Sequence, residues 1–317
     1  MSATSSPAPA PRPRVTLWES VKYGFYRFLA WWIRSWPIAF TYWFGLRCCD
    51  AAFFLNKKAR RAVMQNLAAI YRAKGVEPSE RLIGDLTRKT FQNFGKYLAD
   101  FICMGRPTRA LYHRYISIQG ADYFRAIAKE PKGVILVTAH LGNWELGGAL
   151  VAALGKPLNV IVRPIPYPTL ERIYDDFRQR RGMKPILLQN AARGLLAALR
   201  RNEAVAFVAD RDFTHDGIET TFFGRPTPLP RGPAWFAWKT KLPVYLGFVQ
   251  RVPGDSYMLR FLPPLRPADF PSEQALRQTM ATAMEKAIWR DPTQWYTFSP
   301  FWPIPESPSS HFYATDR

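Results

Sequence analysis

The sequence predicts an α/β fold, a mostly parallel central sheet flanked by helices, with a helical segment set before it. Three observations carry this expectation. Short, continuous apolar runs of the kind that form strands buried on both faces alternate with helical stretches through the middle of the chain. Residues 57–103 have a helical period, and ahead of them residues 15–55 crowd aromatic rings among basic side chains.

The strand expectations fall at 133–138, 159–162, 186–188, 204–208, 244–252 and 257–262. Between them, helices are expected from Trp144 onward, over 169–181 and 192–201, and finally over 273–289. In the earlier region Val63, Leu67, Ile70 and Tyr71 recur at helical spacing, as do Leu86, Phe91, Phe94 and Leu98. No internal repeat is visible. The chain divides into a disordered tail (1–14), the aromatic segment (15–55), an α/β domain (56–305) and a C-terminal tail (306–317).

Charge and aromatics point to a partner class. Lys and Arg number 44 against 24 Asp and Glu, a formal net charge of +20, which calls for an anionic partner. Trp18, Trp31, Trp32, Trp36 and Trp43 share the 15–55 segment with Lys22, Arg27, Arg34 and Arg47. A groove for nucleic acid would set such rings among polar side chains; here the neighbours are Ala, Ile and Leu, as at a membrane–water interface. The segment is therefore read as a helical, membrane-associating one, and no nucleic-acid partner is expected. Its uncharged run over 35–46 is short against the ~20 residues of a spanning helix and contains Pro37, so an interfacial or re-entrant placement is expected. A helical cap packed on the core is the alternative. Lys57, Lys58, Arg60 and Arg61 follow and could meet anionic headgroups or simply face solvent.

Cys48, Cys49 and Cys103 make no disulfide framework and no C-x-x-C pair, which suits a reducing compartment. The 1–14 stretch lacks the apolar core of a signal peptide.

The usual catalytic signatures are missing: no G-x-S-x-G, no Walker loop, no G-x-G-x-x-G, no H-E-x-x-H. One passage stands apart, Val137-Thr-Ala-His140-Leu-Gly-Asn-Trp-Glu145-Leu-Gly-Gly148. His140 falls where a buried strand should end, and functional groups of α/β sheets gather at that end. Gly142 and Asn143 supply a turn and an N-cap, and Glu145 falls in the first helical turn, where the dipole favours a carboxylate. On one helix, residues five apart point ~140° from each other. The pair meets only if His140 precedes the helix and folds back over it. So held, a neutral imidazole could take a proton from a hydroxyl while Glu145 fixes its tautomer. A lone histidine there could also merely satisfy the turn.

His140-x4-Glu145, in the form His-Leu-Gly-Asn-Trp-Glu, resembles the motif of the His-x4-Asp/Glu lysophospholipid acyltransferase family. It is most similar to the branch of bacterial lipid A (lauroyl/myristoyl) and phosphatidylinositol mannoside acyltransferases. Further blocks occur in that branch's order: Val162-Arg163-Pro164, Ala209-Asp210-Arg211-Asp212, Thr221-Phe222-Phe223-Gly224, Pro230-Arg231-Gly232-Pro233 and Asp291-Pro292-Thr293-Gln294-Trp295. The likeness spans roughly residues 15 to 305.

The resemblance implies an O-acyltransferase that moves a fatty acyl group from acyl-CoA or acyl-carrier protein to a hydroxyl of a membrane (glyco)lipid. It implies His140 as general base and Glu145 as its partner, with no cofactor; no metal set is expected, since His113, His215 and His311 stand apart without ligand spacing. Asn143, Arg163, Asp210, Arg211, Asp212 and Arg231 are the implied substrate contacts. Arg163 could meet the oxyanion or an acidic acceptor, or form a surface ion pair; Arg231 could reach a phosphate or lie in solvent. Asp210 and Asp212 would line the cleft or make a strand-end turn. The implied place is the cytoplasmic face of the inner membrane, peripheral or monotopic. Two other readings remain open from the sequence. Asp210-x-Asp212 fits the D-x-D of metal-dependent glycosyltransferases, and the basic charge fits a non-catalytic membrane-binding protein.

Overall fold

A computed structural model describes residues 17–103, 115–163 and 167–302. The tails at 1–14 and 306–317, and Pro164, His113 and His311, lie outside the described residues.

The apolar runs do form a sheet. Its seven strands are β1 (Ile116–Gln119), β2 (Val134–Thr138), β3 (Leu158–Val162), β4 (Met183–Leu187), β5 (Ala204–Val208), β8 (Val244–Val252) and β9 (Ser256–Phe261), in the order β1-β9-β8-β2-β5-β3-β4. Every pairing is parallel except β8 with β9. Helices α5 (Ala121–Lys129) and α6 (Trp144–Ala152) cover one face, where Val134, Leu136, Leu146, Leu150 and Leu158 pack. Helices α8 (Ala191–Arg200), α9 (Gly232–Thr240) and α10 (Glu273–Arg290) cover the other, over Ile135, Val137, Val205, Phe207 and Leu246. Ile135 and Val137 are at most 1% exposed, and each such side chain contributes roughly 1.5–3 kcal/mol of burial.

The crossover from β2 through α6 to β3 skips a lane that β5 later fills. The carboxyl ends of β2 and β5 therefore lie side by side, with Thr138 paired to Val208.

Four elements had no counterpart in the sequence expectation: β1, α5, α9 and the hairpin β6 (Ile218–Phe222)–β7 (Arg225–Leu229). Pro226 and Pro228 hid β7. They are two residues apart, so both missing N–H groups lie on the ribbon's outer edge, where no ladder is lost. The hairpin turns on Phe223 (φ 50°) and Gly224 (φ 71°), the paired left-handed conformations of a type I′ turn. The expected strand at 186–188 lies earlier, at Met183–Leu187, because Lys184 and Pro185 mask its start.

The N-terminal segment forms α1 (Leu17–Arg34) and α2 (Ile38–Leu55), broken at Pro37. Helix α2 runs beyond the uncharged stretch over 35–46, past Arg47 to Leu55, and is 18 residues long in all with mean hydropathy 1.2, about 27 Å. By length and composition alone it is long and apolar enough to cross a membrane. One of its sides packs on α4 (Glu80–Cys103) through a close glycine crossing; a Cβ on Gly95 would stand 2.8 Å from the Gly45 carbonyl oxygen. Its inward polar groups are matched: the Tyr42 hydroxyl donates to Asp100 at 2.6 Å, and Asp50 accepts from Arg88 and Gln92, each at 2.8 Å. The outward rings stay exposed, Trp18 at 65%, Trp31 at 64% and Trp43 at 54%. Helix α1 lies across α7 (Pro168–Arg180), where the Tyr23 hydroxyl bonds Asp176 and Arg172 sits 4.0 Å over the Tyr23 ring.

Candidate active site

His140 follows β2 by two residues and ends before α6 begins, as the fold-back requires. Gly142 makes the turn possible. Its φ is +60°, and a Cβ there would stand 1.9 Å from the Val249 carbonyl oxygen. That same oxygen accepts the Asn143 N–H at 2.8 Å, tying the turn to β8. Asn143 caps α6, its Oδ1 accepting from the Leu146 N–H at 2.9 Å while its amide donates to the Tyr257 hydroxyl at 3.2 Å. It is buried and off the cavity wall, so its expected substrate contact becomes a cap.

The carboxylate that meets His140 is Asp210, not Glu145. Asp210 Oδ1 lies 2.8 Å from His140 Nδ1 and accepts the His140 backbone N–H at 3.0 Å. Its other oxygen accepts the Trp295 indole N–H at 2.8 Å. A carboxylate only accepts, so Nδ1 carries a proton, and in the neutral imidazole it is then Nε2 that keeps the lone pair. Burial works against ionised Asp210, but His140, Arg211 and the Trp295 N–H outweigh it and hold its carboxyl well below the usual range. The cause of the correction is topological: His140 and Asp210 each follow the ends of adjacent strands by two residues.

Glu145 is engaged elsewhere. Arg178 of α7 donates to its Oε1 from Nη2 at 2.7 Å and from Nε at 3.0 Å. The pair is largely buried, with side-chain exposures of 18% and 6%. It joins the first turn of α6 to α7, the helix on which α1 rests.

A cavity of about 620 Å³ opens beside His140. It reaches both faces of the sheet. The passage lies where β3 and β5 part: their pairing ends at Val160 with Ala206, although β2 stays with β5 to Val208 and β3 with β4 to Leu187. On the α6 face the cavity descends past Leu136, Val160 and Ala206 to Leu158 and Met183. The descent from the Val208 level to the Ala204 level, which pairs with Leu158, is about 13 Å. On the other face it is walled by Ile161, Phe207, Leu195 and Phe236. Trp144 and Phe213 present their rings edge-on to the His140 ring, at 5.2 and 6.2 Å between centroids.

The expected basic residues gather at this cavity. Arg163 lies on its wall, exposed, 5.2 Å over the Phe213 ring, and Arg231 lines it at the start of α9. Arg211 also lines it, its guanidinium donating to the Tyr296 carbonyl and to Thr297 Oγ1. Asp212 reaches the wall but turns back to accept from Thr214 at 2.9 Å and Gly217 at 2.8 Å. Asp210, 0% exposed, stands behind His140 rather than in the cleft. No cysteine lines the cavity; burial pushes the Cys49 thiol up to about 11 and raises Cys103, away from reactive thiolate.

Comparison with known proteins decides the family. A family model described as bacterial lipid A biosynthesis acyltransferase matches residues 16–303. The chain belongs to that family. It is an acyltransferase. The enzyme is 27% identical over 267 residues to the phosphatidylinositol mannoside acyltransferase of Mycobacterium tuberculosis (strain CDC 1551 / Oshkosh), covering 80% of each chain. It is 22% identical over 269 residues to the lipid A biosynthesis lauroyltransferase of Escherichia coli (strain K12), covering 84% of this chain and 86% of that protein. Among solved structures it is similar to the 1-acyl-sn-glycerophosphate acyltransferase PlsC of Thermotoga maritima, with a TM-score of 0.38 and 12% identity over 80% of this chain and 96% of that one.

Two residues of this constellation escaped the sequence reading. Arg178 carried no signal beyond an ordinary charged helix. Trp295 did: it closes the block Asp291–Trp295 that forms part of the family likeness, but no spacing rule connects it to Asp210, 85 residues away.

Proposed function

We propose that the enzyme transfers a fatty acyl group from an acyl thioester to a hydroxyl of a membrane lipid, with His140 as general base. The observation that carries this reading is the His140–Asp210 contact at 2.8 Å, at the mouth of a deep apolar cavity. Nε2 takes the acceptor's hydroxyl proton as its oxygen attacks the thioester carbonyl carbon. The tetrahedral oxyanion collapses, the C–S bond breaks, and the thiolate leaves with the electron pair. The proton on the imidazolium can then pass to that thiolate, which restores the neutral base. Asp210 stabilises the imidazolium, and no acyl-enzyme is needed.

The cavity suits the acyl chain: its lining is mostly apolar and it descends along the sheet from the reacting histidine. Arg163 and Arg231, both exposed on its wall, are the cations placed to meet the oxyanion or an acidic substrate group, whereas Arg211 is tied to Tyr296 and Thr297. The exposed rings of α1 and α2, with a net charge of +20, favour docking on an anionic leaflet, taken here as the cytoplasmic face of the inner membrane. The relatives' names nominate phosphatidylinositol mannosides or lipid A precursors as acceptors; the donor proposed here is acyl-CoA or acyl-carrier protein.

The glycosyltransferase alternative is less favoured, because its two carboxylates do not face one cleft: Asp212 reaches the cavity wall, whereas Asp210 is 0% exposed and lies behind His140.

The test incubates the full chain with labelled palmitoyl-CoA and micelles holding either a phosphatidylinositol mannoside or a lipid A precursor. Mass spectrometry should find one acyl unit added to one acceptor. His140→Ala should lower that rate by about 10²–10⁴ while the protein stays folded. Activity of the variant within threefold of wild type would overturn the mechanism, and no acylation of either lipid would overturn the acceptor class.

A further inference from the structure

The segment that follows α10 grips the reacting pair from both sides. The Gly142 N–H donates to the Gln294 carbonyl at 2.8 Å, and the Tyr296 N–H donates to the His140 carbonyl at 2.9 Å. Leu141 and Trp295 pair as a short antiparallel bridge. The backbone of His140 is thus held by residues 294–296, independently of Asp210. Between those two anchors, the Trp295 side chain turns toward Asp210 and places its N–H on Oδ2.

A carboxylate at the end of a strand can rotate about its last bond. Here both oxygens are committed, Oδ1 to two donors of His140 and Oδ2 to one donor of Trp295. The indole is 3% exposed and its ring is wedged by Phe222, Phe301 and Trp302, so its N–H direction is fixed by packing. We propose that Trp295 is a positioning residue for acyl transfer. It locks the Asp210 carboxylate in the one rotation that serves His140 Nδ1, and so aims Nε2 into the cavity. The inference rests on His140 acting as base and assigns to the C-terminal segment a role in the chemical step.

Two features separate this from plain packing. The indole spends its only donor on Asp210, where a buried aromatic needed for volume alone would tolerate Phe. The grip is also shared: Arg211, next to Asp210, is held by Tyr296 and Thr297 of the same segment. The acid and its neighbour are therefore both referenced to the loop that holds His140.

Trp295→Phe keeps an aromatic ring and removes the donor. Its kcat should fall about 10- to 100-fold, the usual cost of losing an outer-shell partner, while KM for palmitoyl-CoA stays within about twofold. In an Asp210→Asn background the same change should lower kcat no further, because the carboxylate through which it acts is gone. Leu276→Ala is the packing control: it opens the same apolar core at a residue that neither stacks on Trp295 nor lines the cavity, and kcat should hold below its melting temperature. A readout free of turnover is the downfield proton resonance of His140 Nδ1–H, assigned by its loss in His140→Ala. It should shift or broaden in Trp295→Phe and stay in Leu276→Ala. Full activity in His140→Ala would defeat the general-base reading itself. If His140→Ala is inactive but Trp295→Phe keeps wild-type kcat and resonance, or its loss multiplies with that of Asp210→Asn, the positioning role is wrong.

Discussion

Asp210→Asn is the substitution that separates the two carboxylates near His140. An amide offers a single oxygen where the site needs two. If that oxygen faces His140, accepting the backbone N–H and Nδ1–H, the NH₂ group points at the Trp295 indole N–H. If the amide is turned over, the NH₂ faces both donors of His140 instead. Either orientation sets buried donors against each other where the native contacts are 2.8–3.0 Å. An unsatisfied buried group costs about 1–3 kcal/mol, and in a chain of this size each kcal/mol lowers Tm by about 2–4 °C. The variant should therefore melt some degrees lower yet fold. The catalytic loss should be larger. In one orientation the imidazolium loses its counter-charge; in the other the ring proton moves to Nε2 and no lone pair faces the acceptor. A fall in kcat of about 10³–10⁴ is expected. The assay is label transfer from palmitoyl-CoA beside a thermal melt of the same preparation. A kcat within tenfold of wild type would refute the assignment of Asp210 as the partner of His140.

Other outcomes follow from the same geometry. Glu145→Gln should lower kcat less than Asp210→Asn does but lower Tm, because it leaves Arg178 buried without its counter-charge; equal kcat losses would restore Glu145 as the histidine's partner. Met183→Ala should extend the cavity floor and move donor preference toward longer acyl-CoA in a chain-length series, at a stability cost of about 2–5 kcal/mol. The depressed Asp210 pKa fixes a sign: its contribution to stability is whole above the unfolded value of about 3.9 and is lost as pH falls from there. Denaturant melts at pH 5 and pH 3 should show a smaller acid loss for Asp210→Asn than for wild type. Replacing exposed Trp31, Trp32 and Trp43 with Ser, and keeping half-buried Trp36, should leave vesicle binding weak and salt-sensitive; binding unchanged at high salt would assign docking to other surfaces.

The sequence made the parallel sheet legible because its strands are buried on both faces and so read as unbroken apolar runs. It made His140 legible for the same reason, as a polar residue at the end of such a run. Elements whose stability comes from context were hidden. The β6–β7 ribbon carries prolines that matter only if their edge is central, and α9 is too uniformly apolar over Gly232–Thr240 to show a period. The histidine's true partner was hidden by lane order. Nothing local says that the strand ending at Val208 slips between β2 and β3, yet that placement sets Asp210, rather than Glu145, on Nδ1. Asp210 itself was singled out, as a substrate contact. The residue was visible, and its direction was not.

The polar network beneath α2 bears on how the protein can be divided. Tyr42 of α2 meets Asp100, which is also held by Arg251 and Tyr257; Tyr257 in turn accepts from Asn143, the cap of α6. Cutting away the two N-terminal helices to obtain a soluble catalytic fragment would strip Tyr42 from a carboxylate that is 0% exposed, and bare the glycine seam on α4. The two aromatic helices are thus a wall of the enzyme as well as its apolar exterior. A chain cut before Lys57 should come out aggregated or unable to hold the turn at His140.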